Sequence, residues 1–175
     1  MIFMGTIAYG SSIIAYTYAF NYTLVGNVLF ILSSYPIVTA ILATPLLHEK
    51  LNKNHISGLV VLIAGLLLLF NPSNISQYLF GNALSFYVAI TFSLYVIISR
   101  YLSKVGEHAE TITFLSILIG CATSGILAIG FEQLPAHISI SVFLGTIAFG
   151  CLNFIAHILV NKGFKLINAS TGTMI

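Results

Sequence analysis

Charge is what this chain most conspicuously lacks. Asp, Glu, Lys and Arg together make up 6% of its 175 residues, where a water-soluble domain carries about 25%, so a solvated surface cannot be covered. With 58% hydrophobic residues and a mean hydropathy of +1.04, the composition is that of a membrane protein, with the lipid bilayer as its first partner. A net charge of +2 without a basic cluster excludes a nucleic-acid partner. Cysteine is also scarce: Cys121 and Cys151 lie in apolar runs without Cys-x-x-Cys or Cys–His spacing. They read as buried, unpaired thiols, with no disulfide, metal or cofactor implied. The N-terminus enters an apolar span directly, without the basic residues or small-residue cleavage site of a signal peptide.

What is present is long apolar runs. A spanning helix needs about 20 mostly apolar residues, and six segments meet or approach that: 2–20, 24–47, 55–71, 80–99, 111–131 and 138–160. A further apolar start, Ala169 to Ile175, is too short to cross. The fold class is therefore all-α: a polytopic membrane protein of six transmembrane helices plus the start of a seventh. Basic residues mark cytoplasmic loops, and Lys50, Lys53, Arg100, Lys104, Lys162 and Lys165 fall only in alternate connections. Loops 48–55, 100–110 and 161–168 are thus expected in the cytoplasm, the others outside.

Gly5-Thr6-Ile7-Ala8-Tyr9-Gly10 recurs as Gly145-Thr146-Ile147-Ala148-Phe149-Gly150. The predicted topology runs the two copies through the membrane in opposite directions, the mark of an inverted repeat in secondary transporters.

The turn between the second and third spans orients the rest. It holds Glu49, Lys50 and Lys53, three of the ten charged residues. A proline in the preceding span (Pro36), the Glu49-Lys50-Leu51 turn, and glycines seven apart in the next span (Gly58, Gly65) recur together in EamA-like transporters of the drug/metabolite transporter (DMT) superfamily. This ordered set resembles helices four and five of that family's repeat; the family usually has a small residue, often Gly, where this chain has His48. The resemblance implies a ten-helix inverted-repeat (5+5) carrier. Residues 1–71 would be the C-terminal part of the first repeat (helices three to five). Residues 80–175 would be the N-terminal part of the second (helices six to eight and the start of nine). On that mapping the chain is a fragment, and a homodimer could restore missing elements.

Polar residues inside spans should face partners or a wet cavity. Thr146, Gly150, Asn153 and His157 share one face of the sixth span. Tyr9, Ser12 and Tyr16 share a face of the first, and Tyr87, Thr91 and Tyr95 follow one another at four-residue steps in the fourth. The substrate-cavity candidates are Tyr16, Asn27, Ser34, Thr91, Tyr95, Asn153 and His157. Each competes with a plain packing role, because interhelical hydrogen bonds serve both. Pro36 removes an amide hydrogen and should kink its helix. Gly58, Gly65 and Gly150 read as packing glycines, as does a seam of Ser116, Gly120 and Thr123. Glu49 and Lys50 read as a cytoplasmic turn in which the carboxylate pairs locally. No Asp or Glu lies within any span.

The resemblance implies transport of a small-molecule substrate, with export of an amino acid or related metabolite across a bacterial inner membrane by alternating access, and no enzyme activity. Two other readings compete. One is a non-transporting remnant or scaffold. The other is a rhomboid-like intramembrane serine protease built on Ser124 and His157, although Ala122-Thr123-Ser124-Gly125 departs from that family's Gly-x-Ser-Gly.

Overall fold

A computed structural model of the chain describes residues 4–49, 53–69, 78–130, 139–164 and 166. The described residues are helical apart from short connections. A π-helical stretch, Met4–Gly10, runs without a break into α1, Ser11–Tyr22. Then follow α2 (Val25–Leu32), α3 (Tyr35–Leu47), α4 (Lys53–Leu69), α5 (Leu79–Val105), α6 (Ala109–Gly130) and α7 (Ile140–Gly163). Lys50, the Asn71–Asn74 connection, the connection 132–137 and the apolar start at Ala169 lie outside the described residues.

A helical segment covers each of the six expected spans, with α2 and α3 together forming one candidate span of 23 residues. Four helical segments are long and apolar enough to cross a membrane, and α4 contributes a shorter apolar helix. The protein is a polytopic, all-helical membrane protein.

The second span breaks where Pro36 predicts. Ser33 and Ser34 form a turn, and α3 restarts at Tyr35 with Pro36 in its first turn, where a missing amide hydrogen costs least. Both serines help close the break: Ser33 Oγ donates to the Leu29 carbonyl at 2.7 Å and Ser34 Oγ to the Ile31 carbonyl at 2.6 Å. At the far end of α3, His48 adopts the left-handed conformation (φ 53°). This is the position at which the resembling family usually has a small residue, and glycine enters this region without steric cost.

The loop expected over 100–110 is far shorter. α5 stays helical through Arg100 to Val105 and ends in a Schellman turn, with Gly106 at φ 100° and the Glu107 amide donating to the Leu102 carbonyl at 3.1 Å. The helix outruns its apolar stretch because Arg100 and Lys104 have a partner. Glu49, 6% exposed, accepts from Arg100 Nε at 3.3 Å and lies 3.2 Å from Lys104 Nζ. The carboxylate therefore does not pair only within its own turn, as the sequence suggested, but ties the end of α3 to the end of α5. Likewise α7 continues past Asn161 to Gly163, so the expected 161–168 loop starts later.

α5 is the element on which the π-helical stretch, α1, α2 and α3 pack. α6 lies along the π-helical stretch, where glycines permit contact: a Cβ on Gly5 would meet Ile119 at 2.6 Å, one on Gly10 would meet Thr123 at 2.9 Å, and one on Gly120 would meet the Tyr9 ring at 2.5 Å. The seam expected at Ser116, Gly120 and Thr123 is thus the one the helices use. Gly65 and Gly150 face open space, with nothing within 4 Å of an added Cβ, and Gly58 is half-buried. Cys121 and Cys151 are free, but exposed rather than buried, which costs nothing where lipid replaces water.

Met4, Ala8, Ala43, Tyr95, Val96, Ile97, Ile112 and Phe164 form a buried core cluster, of which Ala8 also lines the cavity described below. At the end of α5 opposite Arg100, Thr23 Oγ1 donates to Asn82 Oδ1 at 2.8 Å, and Tyr22 meets Phe80 edge-on at 5.0 Å.

Removing one member of a buried ion group leaves the others unpaired, at a cost of about 3–5 kcal/mol. Glu49→Ala is therefore expected to lower thermal stability in detergent by at least about 3 kcal/mol. Lys104→Ala, at a side chain 38% exposed, should cost under about 1 kcal/mol. Equal losses in the two variants, read by thermal unfolding, would contradict a buried clasp centred on Glu49 and Arg100.

Candidate functional site

Between α1, the α2–α3 break, α5 and α7 lies a cavity of about 360 Å³. Its walls come from each of these elements: Tyr9, Ser12 and Tyr16 from the first span, Leu32 and Tyr35 from the break, Phe92 from α5, and Asn153 and His157 from α7. The Ser33–Ser34 turn places Leu32 and Tyr35 at the wall, so the consequence of Pro36 is to shape the cavity. Among the described residues, no Asp, Glu, Lys or Arg contributes to the lining.

Aromatic rings make its inner end. Tyr95 lies beneath the cavity and its hydroxyl meets His157 Nδ1 at 3.3 Å. Tyr9 approaches Tyr95 at 5.6 Å and His157 at 5.9 Å between ring centroids, and Phe92 stacks on Tyr95 at 5.9 Å. Tyr35 closes on Phe92 edge-to-face at 5.0 Å. These spacings are those of favourable aromatic pairs.

Hydroxyls at the junction of π- and α-helix satisfy the irregular backbone. Ser11 Oγ donates to the Ile7 carbonyl, and Ser12 Oγ reaches both the Ala8 carbonyl and Thr91 Oγ1 at 2.6 Å. A π-helical turn widens the ring of backbone atoms and often accompanies functional sites.

Of the seven residues expected to line a cavity, Tyr16, Asn153 and His157 do so. Tyr95 and Thr91 stand directly behind the wall, bonded to His157 and Ser12. Asn27 and Ser34 are elsewhere: the Asn27 amide donates to Thr23 Oγ1 at 3.2 Å, and Ser34 serves the helix break. Tyr35 and Phe92 line the cavity without having been singled out. Their signal was the break at Pro36 for the first, and for the second a position one residue from Thr91 that apolar composition hid.

The stripe on α7 is real but shifted. Thr146 and Gly150 are exposed, whereas Asn153, His157 and Asn161 form a column at four-residue steps facing inward. Asn161 is fully buried and its amide donates to Thr113 Oγ1 at 2.8 Å. This bond fixes α7 against α6 one turn from His157.

Ser124 and His157 are not brought together. Ser124 lies in a separate groove of about 400 Å³ between α1 and α6, with Cys121, Tyr18 and Asn21, and its hydroxyl donates to the Gly120 carbonyl at 2.8 Å. A serine protease pair is therefore absent from these two residues.

Helices long and apolar enough to cross a membrane surround a cavity whose lining is mostly apolar, with Ser12, Asn153 and His157 among its few polar side chains, as in a multi-pass membrane protein. Residues 1–71 match the model of the EamA-like transporter family, a match that agrees with the resemblance to the DMT superfamily over that segment. No curated protein and no solved structure matches the chain.

Thr113→Val should cost about 1–3 kcal/mol, because it strands the Asn161 amide in a buried site. Adding Asn161→Leu should recover most of that loss, since removing both partners leaves nothing unpaired. A double-mutant cycle in detergent checks this; additive losses would mean that the two side chains do not act as a pair.

Proposed function

We propose that the protein exports an amino acid or a related small metabolite across a bacterial inner membrane by alternating access. The observation that carries this reading is the cavity itself, which draws its lining both from the segment before residue 71 and from the segment after residue 80. In a 5+5 inverted-repeat carrier these belong to different repeats, and a site between repeats can open to either side as one rocks against the other. Further support comes from the two unlike ends: the Glu49–Arg100–Lys104 clasp closes one, and the cavity adjoins the buried core, sharing Ala8 with it. The basic residues in the loops at the closed end favour a cytoplasmic position for it. Tyr, Ser and Asn side chains in the lining offer hydrogen bonds to the polar groups of a small solute.

The test is counterflow in proteoliposomes that contain the full chain, preloaded with unlabelled amino acids and offered a mixture of the tritiated common amino acids. Uptake above that of protein-free liposomes is expected. Asn153→Leu should reduce it about five-fold, the worth of one lost hydrogen bond of about 1 kcal/mol. Uptake equal to that of protein-free liposomes would reject amino-acid export and favour the non-transporting reading.

A further inference from the structure

We propose that His157 is a proton-dependent carboxylate site: in its protonated form it binds the carboxylate of a monoanionic solute in the cavity, so that anion and proton are held together. This rests on the transporter reading above and names the chemistry of its ligand.

The argument starts from what the cavity cannot offer. Among the described residues the lining contains no Lys or Arg to hold an anion and no Asp or Glu to hold a cation, and Glu110, in the first turn of α6, is exposed and paired with Lys162. Imidazole is the one lining group whose charge changes near neutral pH, and His157 is the one histidine in the lining. A charge in this site is costly unless it is matched, so a protonated His157 and an incoming carboxylate each supply what the other needs. Together they are neutral.

Geometry fits this use. Tyr95 occupies Nδ1, leaving Nε2 as the nitrogen that can donate to a ligand. Asn153, one helical turn away on the same face, also lines the cavity and brings a second donor, and a carboxylate has two oxygens to satisfy. The first span presents Tyr9 to His157, α5 presents Tyr95, and α7 presents Asn153 and Asn161; α6 reaches this column through Thr113. The nearest ion pairs, Glu110 with Lys162 and Glu49 with Arg100, are engaged with each other. Nothing acidic among the described residues competes for the imidazolium. The rings of Tyr9 and Phe92 in the lining, backed by Tyr95, add a surface against which a planar apolar body can stack.

Benzoate is the probe, with benzamide as its uncharged analogue of the same shape. Binding of each to the full chain in nanodiscs is measured by saturation-transfer NMR between about pH 5.5 and about pH 8, a window that brackets the ordinary imidazole value of about 6.5 while benzoate stays ionised. Benzoate binding should weaken at least ten-fold from the lower to the higher pH, and benzamide binding should not change. His157→Gln should abolish the pH dependence and leave only weak benzoate binding. Tyr95→Phe, which removes the hydroxyl contact but leaves both His157 and the ring, should keep the pH dependence and so separates charge from packing. Benzoate binding that is flat with pH in the unmodified protein, or a pH dependence that survives His157→Gln, would overturn the proposal. Because the readout is binding, a protein that transports amino acids yet binds benzoate independently of pH refutes this inference alone and leaves the transporter reading standing.

Discussion

A single buried carboxylate sets the register of this bundle. Glu49 sits where α3 ends, almost out of contact with solvent, and it is tolerable there only because Arg100 and Lys104 reach it from α5. Much follows from that one constraint. It fixes the end of the second span against the end of the fourth, joining residues 51 apart in sequence, and it lets α5 continue beyond its apolar run. The core of Met4, Ala43, Tyr95, Ile97 and Phe164 fills the space immediately inside it. Ala8 belongs both to that core and to the cavity wall.

The spans were legible because a bilayer leaves few options. A chain this apolar must satisfy its backbone internally, and the lengths of its apolar runs then give the helices directly. The break at Pro36 was legible for an equally local reason. Helix ends were less so: Arg100, Lys104 and Asn161 look like loop residues in sequence, yet they are helical because partners from other elements receive them. Periodicity cannot announce a partner 48 or 51 residues away. Packing was legible where small residues fell on a face that another helix needed, as at Gly120, and misleading where the same residue type faced open space, as at Gly150.

The site shows the same division. The faces that carry Tyr9, Ser12 and Tyr16, and Asn153 and His157, could be read from helical spacing, and both line the cavity. Asn27 instead donates to Thr23, one turn away, whose hydroxyl in turn donates to Asn82. Tyr35 entered the lining only through the turn at Ser33 and Ser34. An unbroken helix would have carried it to a different angular position.

The repeated hexapeptide makes the last point about context. Gly5–Gly10 is π-helical and packs against α6, whereas Gly145–Gly150 is α-helical and exposed along its whole length. Nearly the same six residues therefore adopt two conformations, so their local preferences do not decide the outcome. What differs is the neighbour: Gly120 and Thr123 press on the first copy, and the hydroxyls of Ser11 and Ser12, with no counterpart after the second copy, take up the carbonyls that a π-turn leaves poorly served. Cys151 and Leu152 follow the second copy instead. The polar wall of α7 is accordingly built from its other half, Asn153 to Asn161, where Tyr95 and Thr113 supply partners that the outer half does not meet among the described residues.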